Sequence, residues 1–144
     1  MPPARQDPYR NFNFIVEIDG IVAAAFSEVT MPAASADVIE YREGGEPNVV
    51  RKLPGRVHFG NLVLRRGISA SDELYNWWKT VLDGQTSRRN IAVILLDEAR
   101  NPVKRWIFRH AWPARYQPSS LDARGREVVI ETLEIVHEGM ELVQ

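Results

Sequence analysis

The chain of 144 residues contains no cysteine. That excludes a disulfide scaffold and thiolate chemistry, and it fits a reducing compartment. Net charge is nearly absent too: 18 Lys and Arg stand against 19 Asp and Glu, giving −1 at pH 7. No global basic field therefore advertises nucleic acid or anionic lipid, and no nucleic-acid motif is found. Long apolar runs are missing. The longest, residues 91–96, is far too short to span a bilayer, so no membrane-spanning segment is expected. The opening MPPARQDPYRN lacks the apolar stretch of a signal peptide. There is no nucleophile motif, and Gly44-Gly45 is too short to cradle a phosphate. His58, His110 and His137 fall on separate predicted strands without metal-ligand spacing, so each reads as a surface or rim histidine. The sequence thus assigns no catalytic, cofactor-binding or metal residue, and a non-enzymatic role is expected.

What remains is an ordinary globular composition, 44% apolar and 26% charged, on a length that suits one domain spanning 1–144. Residues 11–19 alternate, with Phe12, Phe14, Val16 and Ile18 on one face, and predict a half-buried strand. Asp19-Gly20 favours a tight turn into a return strand over 21–26. Strands are also predicted over 37–42 and 57–66. Residues 91–96, apolar at every position, predict a strand covered on both faces. Residues 103–112 place Trp106, Phe108 and Trp112 opposite Arg105 and Arg109, and Pro113 is expected to end that strand. After a polar, irregular stretch over 114–126, the last strand covers 127–137. Its apolar phase slips between Val128/Ile130 and Leu133/Ile135, which predicts a bulge near Glu131-Thr132 or a change of partner.

One helix is well signalled. Leu74, Trp77, Trp78, Val81 and Leu82 recur at helical spacing and form one apolar stripe for the core. Ser69 or Ser71 can cap its start, and Gly84 sits where a C-terminal cap belongs. About seven strands and one helix predict a mainly β fold, a β-sandwich or barrel subunit.

Residues 39–67 are the most informative. Two strand-like segments flank a charged arm, 43–56, punctuated by Gly and Pro, in which only Val49, Val50 and Leu53 could anchor to anything. A loop of that length in a small domain is functional or docked on something else, and a second copy of the chain is the natural candidate. Open sheet edges point the same way. Strands of several subunits joining a ring-wide β-barrel would remove them. A head-to-tail ring with a second, axial contact would stack, and the arm is the candidate for that contact. The near balance of charges makes inter-subunit pairing a natural use for Arg51-Lys52 and Arg65-Arg66.

Several pieces in order carry a family resemblance: Asp7-Pro8-Tyr9-Arg10-Asn11-Phe12, Ile39-Glu40-Tyr41-Arg42-Glu43-Gly44, Arg51-Lys52-Leu53-Pro54-Gly55, and Leu64-Arg65-Arg66-Gly67-Ile68 before the helix. Trp112-Pro113 and the run from Val128 to Gly139 complete them. The sequence resembles the inner-tube proteins of contractile injection systems, relatives of contractile phage tail tubes. The resemblance implies hexameric rings stacked into a hollow conduit that a contracting sheath drives through a target envelope. Implied partners are further copies of the chain, the sheath, baseplate or spike and tube-terminator proteins, and lumenal cargo; no cofactor is implied. Assembly in the bacterial cytoplasm is expected, within a phage-tail-like particle that some systems release.

On this reading the contact residues between subunits or rings are Glu43, Gly44, Val49, Val50, Arg51, Lys52, Leu53, Pro54, Arg65 and Arg66. Arg124 and Arg126 join them, because Asp122-Ala123-Arg124-Gly125-Arg126 replaces a small polar run that relatives carry. Glu40, Arg42, Glu131 and Glu134 are the lumen candidates, and they read equally well as facing outside solvent. Two alternatives stay open: a tube-initiator paralogue at the baseplate, and a monomeric β-barrel that binds a small ligand.

Overall fold

Alternating patterns build nine strands and one helix among the residues described by the computed structural model, 13–19, 26–42, 44–45 and 48–144. Phe12, most of the expected return strand over 21–26, and Glu43 lie outside them. In chain order the elements are β1 (Phe14–Ile18), β2 (Glu28–Thr30), β3 (Ala34–Tyr41), β4 (Arg51–Phe59) and β5 (Leu62–Gly67). Then come α1 (Glu73–Leu82), β6 (Arg89–Leu96), β7 (Pro102–Pro118), β8 (Ile130–Val136) and β9 (Met140–Leu142). All pairings are antiparallel, and the main sheet runs β1-β6-β7-β8-β5-β2 with β9 added on β7.

The long strand β7 makes the fold. Its first half pairs with β6 and β9, and its second half with β8, so one strand serves two halves of the sheet. Two irregularities turn it. Between Phe108 and Ala111 it carries one residue more than β6, and His110 there adopts φ 52°. A second extra residue falls between Pro113 and Arg115, opposite β8. The first bulge reverses the alternation: Phe108 points into the core, but Ala111 and Pro113 follow it there and Trp112 does not. Pro113 also fails to end the strand. It sits beside a bulge, on a stretch paired only with β8 among the described residues, where a missing N–H is tolerated.

The slip expected in the last strand is absent from β8. That strand runs in unbroken register with β5, from Ile130 opposite Gly67 to Ile135 opposite Leu62. Its buried positions are Glu131, Leu133 and Ile135. Val128, 72% exposed, precedes the strand and has no part in its phase. β6 behaves as its composition demands. Ile91 and Val93 join the main core, while Ala92, Ile94 and Leu96 form a second cluster with Ile15 and Ile107.

Helix α1 packs against β7. Leu74 and Trp77 are fully buried, Trp78 and Val81 partly so. Leu82 is not a core residue: it is 66% exposed. At 100° per residue it lies about 80° from Leu74, on the far side from Trp77, which is past the edge of the buried stripe. The Trp77 indole N–H donates to the Ser87 carbonyl at 2.7 Å, and the Ser87 N–H donates to Thr80 Oγ1 at 3.1 Å. Asp72, not a serine, stands at the N-cap and makes no side-chain capping bond. Gly84, at φ 77°, closes the C-terminus through its N–H to the Val81 carbonyl.

Strands β3 and β4 form a separate two-stranded ribbon. The arm read from the sequence is therefore partly strand: residues 51–56 belong to β4, and β3 already starts at Ala34. Gly60-Asn61 interrupts what alternation suggested was one strand over 57–66. The ribbon thus continues the β2–β5 hairpin outward, past the body of the subunit.

Candidate assembly surfaces

Among the described residues the ribbon is the largest feature without cover. Every residue of β3 is exposed, and in β4 only Gly55 and Phe59 are partly buried. Cross-strand partners Ile39 and Leu53, with Tyr41 beside them, lie on one face. Val38, Pro54 and Val57 lie on the other, Val38 63% and Val57 59% exposed. Gly55 stands where the ribbon register shifts; a Cβ there would meet the Asp37 carbonyl oxygen at 3.1 Å and Ile39 at 3.2 Å. The adjoining His58–Asp37 pair, at 3.0 Å, is exposed on both sides. Gly44, Val49, Val50, Arg51, Lys52, Leu53 and Pro54, singled out from the sequence, all fall on this ribbon or its tip and are all exposed. Glu40, opposite Lys52, and Arg42 are exposed there too.

A second surface is the outward face of β5, β8 and the end of β7. It presents Val63, Arg65, Thr132, Glu134, Arg115 and Gln117, which line one open recess. Arg65 pairs with Glu28 at 3.4 Å and donates to Thr30, and the Asn61 amide donates to Glu134 at 3.0 Å. This face is polar and mixed in sign, so it can border water. Glu134 and Arg65 belong to it.

Glu131 and Arg66 do not. Both are only 4% exposed, so in the subunit neither presents the open surface that the expected lumen role of Glu131 or contact role of Arg66 would use. They are register partners on β8 and β5, and Arg66 Nε donates to Glu131 Oε1 at 2.6 Å. The other carboxylate oxygen accepts the Tyr116 hydroxyl at 2.8 Å. The guanidinium also lies 5.9 Å from the Phe26 ring centre, and its Nη2 is buried with no hydrogen-bond partner among the described residues. Burial first, and then the hydrogen bond and charge of Glu131, push the Tyr116 phenol up to about 12. The signal for this pair was in the sequence: Arg66 is in phase with Leu62 and Leu64, and Glu131 with Leu133 and Ile135. Among the described residues no three His, Asp or Glu side chains group as metal ligands, and no helix is long and apolar enough to cross a membrane.

The family described as T4-like virus tail tube protein gp19 matches residues 10–141. The chain belongs to that tail tube family. A chain in the cryo-EM structure of the anti-feeding prophage baseplate, 6-fold symmetrised, is 30% identical, with 96% of this chain and 97% of that one covered and a TM-score of 0.86. A chain in the PVC sheath-tube complex of an extracellular contractile injection system, in the extended state, is 25% identical (94% and 91% covered, TM-score 0.84). Hcp1 from Flavobacterium johnsoniae, 16% identical over 91% and 94% of the two chains, shares the fold at a TM-score of 0.63. None of the curated proteins matches.

In this tail tube protein Arg124 and Arg126 lie in the exposed loop between β7 and β8. The Ile68 N–H donates to the Val129 carbonyl, and the Ser119 N–H to that of Ile130, so the loop sits at the Gly67 end of β5. The ribbon leaves from the opposite, Leu62 end. The tube protein therefore carries exposed apolar residues at both ends of one strand: the ribbon at one, Ile68, Leu121 and Val128 at the other.

Proposed function

We propose that the chain is a subunit of the inner tube of a contractile injection system or phage-like tail, and that its role is mechanical and not catalytic. Six copies close a ring, and rings stack into a conduit that the sheath drives through an envelope. The observation that carries this is the uncovered ribbon. A two-stranded ribbon on its own is marginally stable in water, and this one shows aliphatic side chains on both faces. Strands of a neighbouring copy give it a sheet to join and shelter those side chains.

The end-to-end arrangement suits an open-ended repeat. A contact from the ribbon end of one copy to the loop end of another uses two different patches, and such heterologous contacts repeat without limit where the rotation between copies does not close a ring. Arg124 and Arg126 stand at the receiving end. The polar face with Arg65 and Glu134 suits the lumen, because a barrel of about 20 or more strands encloses water. Partners follow the relatives, which occur in structures described as a sheath-tube complex, a baseplate and a tube-terminating cap. Assembly inside a bacterial cell and cargo in the lumen complete the proposal.

The test is Ile39→Asp with Leu53→Asp, an exposed cross-strand pair whose change leaves the body of the subunit intact. Negative-stain electron microscopy and light scattering should show folded subunits without tubes. Rings that persist but do not stack would assign the ribbon to the axial contact alone. Tubes of wild-type length would refute the assembly role of the ribbon.

A further inference from the structure

Among the described residues the ribbon touches the rest of the subunit almost entirely at its root, so the root sets its direction. His137 occupies that root. Its Nε2 lies 2.9 Å from the carbonyl oxygen of Gly60, the residue at which β4 gives way to β5. Its ring is 5.9 Å from the ring of Phe59, the last residue of β4. On the body side the same ring meets Phe108 edge to face at 5.0 Å and 81°, and Phe108 is fully buried. Nδ1 accepts the Gly139 N–H at 3.2 Å. That bond needs a lone pair on Nδ1, which places the proton on Nε2, where it is donated to Gly60. The two hydrogen bonds therefore select one tautomer, and the imidazole links the core to the ribbon root through its ring on Phe108 and its Nε2 on Gly60.

We infer that His137 is the positioning residue for the ribbon, holding its root at the angle that assembly requires. The assembly part of this inference rests on the function proposed above; the orientation part does not. The lever arm makes the angle matter. The eight residues of β3 span about 26 Å, so a swing of about 10° at the root moves the tip about 4.5 Å, close to the spacing between neighbouring strands. A ribbon misdirected by one strand spacing meets the wrong edge of its neighbour. The other ties at the root are weaker guides: Gly60 N–H to Ala33 carbonyl lies within the hairpin itself, and the Asn61–Glu134 bond joins two side chains with no ring packed on the core behind it, as His137 has in Phe108.

The absence of cysteine gives a clean background for spin labels. Asn48→Cys and Lys79→Cys, labelled and diluted into unlabelled subunits, report the distance from ribbon tip to helix. The distribution should be narrow with His137 present and broad in His137→Phe, which keeps an aromatic ring but loses both hydrogen bonds. His137→Gln, which can still donate to Gly60, should restore the narrow distribution and the tubes. Equal widths in wild type and His137→Phe, or a broad wild-type distribution, would overturn the inference. Should His137→Phe not fold, nitrogen NMR of the unaltered protein decides: a stable Nε2–H tautomer supports the clamp, and an Nδ1–H tautomer overturns it. A narrow, His137-dependent distribution in a protein that never forms tubes would keep the clamp and reject the proposed function.

Discussion

Glu131→Ala is the most informative single change, because it separates a buried ion pair from a surface one. The substitution removes a carboxylate that is 4% exposed and bonded to both Arg66 and Tyr116. Arg66, equally buried and with no partner at Nη2 among the described residues, is left as an uncompensated charge. Breaking a buried pair from one side costs about 3–5 kcal/mol. A chain of 144 residues has a total stability of about 7–20 kcal/mol. The change therefore removes a large share of it, and the melting temperature should fall by about 10–20 °C. Urea unfolding of dilute, unassembled subunits, followed by tryptophan fluorescence, measures the loss. Replacing both partners, Arg66→Met with Glu131→Leu, should recover most of it, since the double variant buries no charge. A loss below about 1 kcal/mol for Glu131→Ala would refute the reasoning, as would a double variant no better than the single.

Two further outcomes follow from the core. Trp77→Ala, at a side chain 1% exposed and tied to Ser87, should cost about 3–5 kcal/mol through the cavity it leaves; a near-wild-type melting temperature would count against its placement. Because the folded-state phenol of Tyr116 is pushed up to about 12 from its ordinary 10, its contribution to stability is complete below pH 10 and fades as pH rises toward 12. Stability measured against pH should therefore decline less steeply above pH 10 in Tyr116→Phe than in wild type, and identical slopes would contradict the partly buried hydrogen bond to Glu131.

Local pattern alone carried much of the architecture. The unbroken apolar run of β6, the Leu74–Trp77 face of α1 and the scarcity of anchoring side chains around Val49 and Leu53 all act through the residues themselves. A strand apolar on both sides must be covered on both, and a long arm with little to bury points to a functional role. The order of motifs from Asp7 to Gly139 was legible for the same reason: it needs no knowledge of which face is inside.

Periodicity states which residues share a face, but not which face the rest of the chain will cover. That choice is made by tertiary packing, and it decided the fate of the charged residues. Glu131 and Arg66 are alternation partners of buried leucines and isoleucines, yet nothing local shows that their strands meet in register and neutralise each other. The extra residues near His110 and Pro113 likewise belong to the pairing of β7 with β6 and β8, so the inward position passes from Phe108 to Ala111 and leaves Trp112 outside. Leu82 is exposed because its angle on the helix carries it past the stripe that the sheet covers. The sequence by itself settled composition and periodicity and pointed toward a partner, since these depend on side-chain chemistry one residue at a time. Only the tertiary structure settled register, bulges and the ribbon's root at His137, since these depend on residues far apart in the chain coming together.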